Sequence, residues 1–410
     1  LIIFALSFSS CKKNADPTGV WRGTIKNNSG EEVAFTLEVK REGDKLVGSL
    51  VNGDDRTIST SGSFDGGTLK LRYDFYDAEL NATIYGDELY GVFSRQWRKQ
   101  ILGRKLHAKR NASSDNTAQA APNSSNPTGD ISGEWVMRVG EEPKVSYWRA
   151  AFKQKGVAAR GTIIPLSGDW GDMTGDFKNG QLTLNRFDGI NCRVFKATLT
   201  PQGALEGFVD FGLNDPKRKV VAERLTAENK SSVANIPDPK TYTRMSNPAE
   251  PFRFSFPDLD GKMVSSTDDR FKNKAVVVTV TGSWCPNCYD EGPVLQDLYA
   301  RYKDQGLEVV ALAFEYTGQA ARDIEQVRIF AKRLGVAYPM LYAGSIEDTE
   351  KKLSQLVNFG AYPTTIYIGR DGLVKHIHAG FEGKATGERF VKLKAEMEEL
   401  VKELLAGKDS

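Results

Sequence analysis

Histidine is almost missing from this sequence: His107, His376 and His378 are the only three among 410 residues. Cysteine is nearly as scarce, with Cys11, Cys192, Cys285 and Cys288. So few imidazoles and thiols leave no second pair to complete a zinc centre around one Cys-x-x-Cys, and no metal is expected. One close pair is also too few for a disulfide framework, so packing must hold the domains together. Neither sign of charge dominates: 55 Lys and Arg stand against 53 Asp and Glu, a net charge of +2. Without a basic stripe interleaved with aromatics, no nucleic-acid partner is expected. No apolar run reaches the roughly 18–20 residues that span a bilayer. Nothing in the sequence calls for a cofactor.

Residues 1–8, Leu-Ile-Ile-Phe-Ala-Leu-Ser-Phe, form a short apolar stretch followed by Ser9, Ser10, Cys11, Lys12 and Lys13. This is the pattern of the h-region and cleavage site of a secretory signal, inside which the sequence as given is expected to begin. Cys11 after the small pair resembles a bacterial lipobox, which implies lipidation of Cys11 over residues 1–11. The alternative is an ordinary cleaved signal with an incidental cysteine. Both imply export, and the first implies a periplasm-facing lipoprotein of the cell envelope, held to the membrane by its lipid.

Two polar stretches, 111–130 and 226–250, are too poor in apolar residues to offset their ordering entropy and read as linkers. They bound segments 17–110, 131–225 and 251–410. The first two are copies of one another. Gly19-Val20-Trp21 matches Gly133-Glu134-Trp135, Ala82-Thr83-Ile84 matches Ala197-Thr198-Leu199, and Leu89-Tyr90-Gly91 matches Leu205-Glu206-Gly207, with the offset held between 113 and 116. Alternating runs such as Phe35, Leu37 and Val39, cut by turns such as Asp65-Gly66-Gly67, predict an antiparallel meander of six to eight strands in each copy. Each copy is expected to form a closed or half-closed barrel. Trp21, Trp97, Trp135, Trp148 and Trp170 either plug these barrels or line a ligand cavity.

From about Pro251 the period changes. Ala275 to Val280 is a continuous β-branched run, a buried central strand. Helical stripes follow it at Leu295, Leu298, Tyr299 and Tyr302, then at Ile324, Val327, Phe330 and Leu334, and last at Phe390, Leu393, Met397, Leu400 and Leu404. A hairpin is predicted around Asp371-Gly372. Trp284-Cys285-Pro286-Asn287-Cys288 falls between the buried strand and a helix start. Unpaired N–H groups there favour thiolate at the first cysteine, and Pro286 loses no hydrogen bond in the first turn. Cys285 is therefore the expected attacking sulfur and Cys288 the resolving one. Cys192 reads as a small buried hydrophobe.

Trp-Cys-x-x-Cys, Glu291, Pro293, Gly306-Leu307-Glu308-Val309-Val310, Tyr362-Pro363-Thr364-Thr365 and Gly369-Arg370-Asp371-Gly372 resemble the TlpA/ResA branch of the thioredoxin superfamily, related to the AhpC/TSA proteins. The resemblance covers Pro251 to about Leu405 and implies an α/β thioredoxin fold after the two β repeats. It implies thiol–disulfide oxidoreductase activity, with Cys285 as nucleophile, Cys288 as resolver and Pro363 as a cis-proline facing the disulfide. It also implies Glu291 as a buried proton carrier and Trp284 as a shield. The partners it implies are disulfide-bearing periplasmic proteins and a membrane thiol reductant upstream. Two other functions stay open: a peroxiredoxin-like thiol peroxidase, although Gly282 stands where Thr is usual in that family, and a binding lipoprotein whose β repeats do the main work.

Overall fold

The computed structural model describes residues 16–111, 126–212, 217–227 and 230–407. Cys11, the whole signal segment 1–11 and most of the 111–130 linker lie outside the described residues.

The first repeat is a nine-stranded antiparallel meander, one strand more than the predicted maximum. Its first strand, Gly19–Lys26, pairs with Glu32–Glu42 on one side and with the last strand, Gln100–Arg110, on the other. The sheet curls round on itself, bringing Gly62 of one end against the Leu46 carbonyl near the other. Its two edges are the short strands Asp55–Ile58 and Ser61–Asp65, which are consecutive in the chain but do not pair. The second repeat closes fully, its eight strands running from Gly133–Val139 to Arg218–Arg224, which pair with each other.

The repeated residues have physical reasons. Gly91 faces Ala82, and Gly207 faces Ala197, as cross-strand partners. A side chain at Gly91 would put its Cβ 2.6 Å from that of Ala82, and one at Gly207 would put it 1.9 Å from the Lys196 carbonyl. Only glycine permits so close a crossing. Trp21 and Trp135 are fully buried, donating to the Pro17 and Ile131 carbonyls at 2.9 Å, with Arg110 and Arg224 stacked over their rings. These two tryptophans are core residues of the first and second repeats.

The barrels are not separate beads. Phe187, Ile190, Cys192 and Val194 of the second belong to the hydrophobic core of the first. Phe187 meets Phe93 and Phe35 edge-on at 5.0 and 6.0 Å. Cys192 is buried there, and burial pushes its thiol up to about 12. It is a packing residue, as its surroundings in sequence suggested.

The C-terminal domain carries a five-stranded sheet in the order Met340–Ser345, Leu307–Glu315, Ala275–Thr281, Thr364–Ile368, Val374–Ala379. The first three strands run parallel and the last two are antiparallel to their neighbours. Every residue of the central strand is buried, as its unbroken apolar run requires. Helices α1 (Pro286–Tyr302) and α2 (Ala320–Leu334) and the final helix Glu388–Ala406 cover the sheet. Gly335, in the left-handed region at φ 63°, ends α2.

The segment 226–250 departs from the linker expectation over its second half. Arg244–Met245 pairs with Leu356–Val357, Thr243 donates to the Asn358 carbonyl at 3.0 Å, and Met245 is buried. Met245 joins the core around Phe252 and Phe254, and that local burial outweighs the polar composition of its neighbours.

Candidate active site

Cys285 is the N-cap of α1. Its Sγ accepts from the Cys288 backbone N–H at 3.3 Å, and Pro286 occupies the first helical turn. Cys288 lies one turn further in, 1% exposed against 3% for Cys285. The two sulfurs are unbridged. Burial first, then the hydrogen bond and charge of Cys285, raises the Cys288 thiol well above its ordinary range.

The chain returns to the pair from 77 residues downstream. Tyr362–Pro363 is a cis peptide, and the Tyr362 carbonyl sits 3.5 Å from Cys285 Sγ. Trp284 donates to the Phe314 carbonyl at 2.9 Å and meets the Tyr362 ring edge-on at 5.1 Å, closing one side of the pair.

Glu291, on the inner face of α1, is 2% exposed. Thr279 donates to its Oε2 at 2.7 Å and the Thr365 hydroxyl donates to the other oxygen. Burial pushes its carboxyl up to about 7 although both hydroxyls work against the rise. Its charge lies within electrostatic reach of Cys288.

Three functional candidates escaped the sequence reading. Glu315 accepts from the Ser283 N–H and hydroxyl at 2.7 and 2.8 Å and so fixes the turn that carries Trp284 and Cys285; burial pushes it up to about 8. Asp290, next to Glu291, is pushed up to about 7 by burial and then by the charges of Asp169 and Asp55. Its neighbour in the chain concealed it, since two successive helix acids look like a solvated face. Asp169 comes from the second barrel and accepts from the Gly383 N–H. No local signal ties residue 169 to a helix beginning at 286.

Both barrels reach the site domain. Tyr289, one residue past Cys288, donates to the Phe75 carbonyl at 2.9 Å and packs edge-on against Phe75 and Tyr76. Tyr316 donates to the Gln96 carbonyl at 3.1 Å and lies 5.2 Å from the Trp97 ring. Asn287 donates to the Ser167 carbonyl at 2.7 Å, and Gly168 bridges to Phe381. The result is a cleft of about 650 Å³ at Cys285, walled by the second barrel on one side and the C-terminal domain on the other. Among the described residues no group of three or more His, Cys, Asp or Glu is arranged to hold a metal.

Residues 245–390 match the Redoxin family model. The chain is 31% identical over 147 residues to the thiol-disulfide oxidoreductase ResA of Geobacillus thermodenitrificans, a match spanning 36% of this chain and 76% of that protein. It is 32% identical over 136 residues to ResA of Geobacillus kaustophilus, spanning 33% and 71%. Among solved structures, a thiol:disulfide interchange protein of the thioredoxin family from Chlorobium tepidum is 22% identical with a TM-score of 0.29, covering 40% of this chain and 99% of that one.

Proposed function

Through its C-terminal domain the chain belongs to the ResA-like thiol–disulfide oxidoreductases of the thioredoxin superfamily, and on that premise we propose that it is an exported, membrane-anchored dithiol enzyme that reduces disulfides of periplasmic proteins. The observation that carries this reading is the pairing of Cys285, at a helix cap beside the cis Tyr362–Pro363 bond, with Cys288 one turn behind it.

The geometry supports a two-step exchange. The Cys285 thiolate attacks one sulfur of the substrate disulfide, and the other substrate sulfur leaves as a thiolate that takes a proton from water. Cys288 then attacks the Cys285 sulfur, its proton passing to the Glu291 carboxylate, and the second substrate thiolate leaves. Two electrons have moved to the substrate and the enzyme ends as the Cys285–Cys288 disulfide. A membrane thiol reductant restores the dithiol. Glu291, held near neutrality by burial, suits both halves of that proton cycle. Trp284 shields the pair, and the Tyr362–Pro363 backbone offers a surface for a substrate strand.

Reduced full-length protein mixed with insulin should generate two substrate thiols for each Cys285–Cys288 pair consumed, and a Cys285→Ser variant none. Equal thiol release by both would remove the proposed chemistry. For the anchor, no helix among the described residues is long and apolar enough to cross a membrane. The attachment point in this reading is Cys11, at the end of the motif spanning residues 1–11. Labelled fatty acid should enter the wild type and not Cys11→Ser; labelling of both to the same extent would exclude Cys11 as the lipid site.

A further inference from the structure

The cleft at Cys285 is a joint product of two domains, and its charges are satisfied unequally. Arg186, from the second barrel, donates to Asp55 at 2.8 Å, to Asp188 at 3.0 Å and to the Asp172 carbonyl at 2.9 Å. Glu347, across the cleft, pairs with Arg98 at 3.4 Å. Arg193 differs. It lies on the Cys192–Leu199 strand with its guanidinium 4.5 Å above the Trp170 ring, and both residues line the cleft. Its Nε is buried with no hydrogen-bond partner, and Arg193 makes no ion pair among the described residues. Burial weighs against its charge; Asp188 and Asp169 support it without bonding to it, Arg186 opposes it, and Cys285 also lies within its electrostatic reach.

A guanidinium half-withdrawn from water, with its Nε unpartnered and no carboxylate bonded to it, gains free energy from a carboxylate that reaches it, and stacking on an indole pre-orients its planar fork for one. The cleft also restricts what can arrive. Cys285 is 3% exposed, so a partner sulfur must come in on a slim, extended segment rather than on a folded surface.

We propose that Arg193 is the substrate-reading residue of this cleft, and that the preferred substrate is an extended cysteine-containing segment with an Asp or Glu side chain within a residue or two of its disulfide. The carboxylate pairs with Arg193 while Cys285 attacks the neighbouring sulfur. The barrel thereby acts as a specificity wall for chemistry carried out by the other domain. Asp169 and Asp290 on the same cleft work against anions elsewhere along it, so one charge in one register is selected. This deepens the oxidoreductase reading and rests on it.

The test uses the reduced full-length chain and two pairs of probes: iodoacetate against iodoacetamide as alkylators of Cys285, and cystine peptides with Glu or Gln beside the disulfide. Relative to free cysteine, the wild type should favour the anionic member of each pair by about tenfold, as a charge-assisted hydrogen bond would give. The preference should fall to about unity in Arg193→Gln and return in part in Arg193→Lys. It should also shrink in the wild type as salt is raised. Equal ratios in wild type and Arg193→Gln, or a wild-type ratio indifferent to salt, would overturn the proposal. If neither peptide is reduced while Cys285 still alkylates, the oxidoreductase reading fails, and the alkylation ratio still reports on Arg193.

Discussion

Replacing Cys288 by Ala in the full-length chain should lower multiple-turnover disulfide reduction by on the order of a thousandfold and convert the protein into a covalent trap. The reason lies in the division of labour between the two sulfurs. Cys285 caps the helix and reaches the cleft, so it can still form a mixed disulfide with substrate. Cys288 is one turn inward with its backbone N–H on the Cys285 sulfur at 3.3 Å, so in the wild type resolution is intramolecular. Without it the mixed disulfide waits for an external thiol. Partners should therefore appear as adducts on non-reducing gels, released by dithiothreitol and identified by mass spectrometry. A Cys285→Ser, Cys288→Ala double variant should capture nothing. Adducts of equal yield on the double variant would assign the attacking sulfur elsewhere, with Cys192 the next thiol to examine.

The legible part of this site is the part built locally. Cys285, Pro286 and Cys288 sit within one helical turn, and the physics of a helix N-terminus assigns their roles without any tertiary information. The repeat was legible for a similar reason: a constant offset keeps Trp21 with Trp135 and Gly91 with Gly207 whatever the barrels do. Pro363 lies 78 positions beyond Cys285, and only the resemblance linked them. What stayed hidden was assembled across domains. Arg193 and Asp169 stand in a strand and loop whose local pattern is that of any small barrel, and their meaning comes from docking against α1; Trp170 is a cavity candidate in the sequence, but nothing local ties it to Cys285. Tyr289 carries no local signal of a partner, yet its hydroxyl bonds the first barrel at Phe75. The ninth strand of the first repeat was also unreadable. Asp55–Ile58 and Ser61–Asp65 are each so short that their alternation merges with the turn between them.

Glu291→Gln should change the pH dependence of both stability and exchange, in directions fixed by the burial of the carboxyl. In the folded protein Glu291 is pushed up to about 7, from an ordinary value of 4.5. Below about pH 4.5 it is protonated in both folded and unfolded chains, and the fold bears no penalty. Between there and about pH 7 the unfolded chain loses the proton while the folded chain keeps it, so wild-type stability falls as pH rises. Above about pH 7 both forms are ionised and the penalty is constant, at up to about 3 kcal/mol by linkage. Gln carries no such penalty and can still accept from one of the two threonine hydroxyls. The stability of the variant relative to wild type should thus climb from pH 4.5 to 7 and then level, as urea unfolding at a series of pH values would record. Glu315 and Asp290 titrate in both proteins and cancel in the difference. The kinetic counterpart is the resolution step. In the wild type, the rate at which Cys288 clears a preformed mixed disulfide on Cys285 should rise through pH 7 as Glu291 becomes able to accept its proton. In Glu291→Gln that step should be slower at pH 8 and lack the inflection near 7. A stability difference that is flat with pH would mean that Glu291 is not held protonated by its surroundings. Superimposable resolution profiles would leave Cys288 to lose its proton by another route.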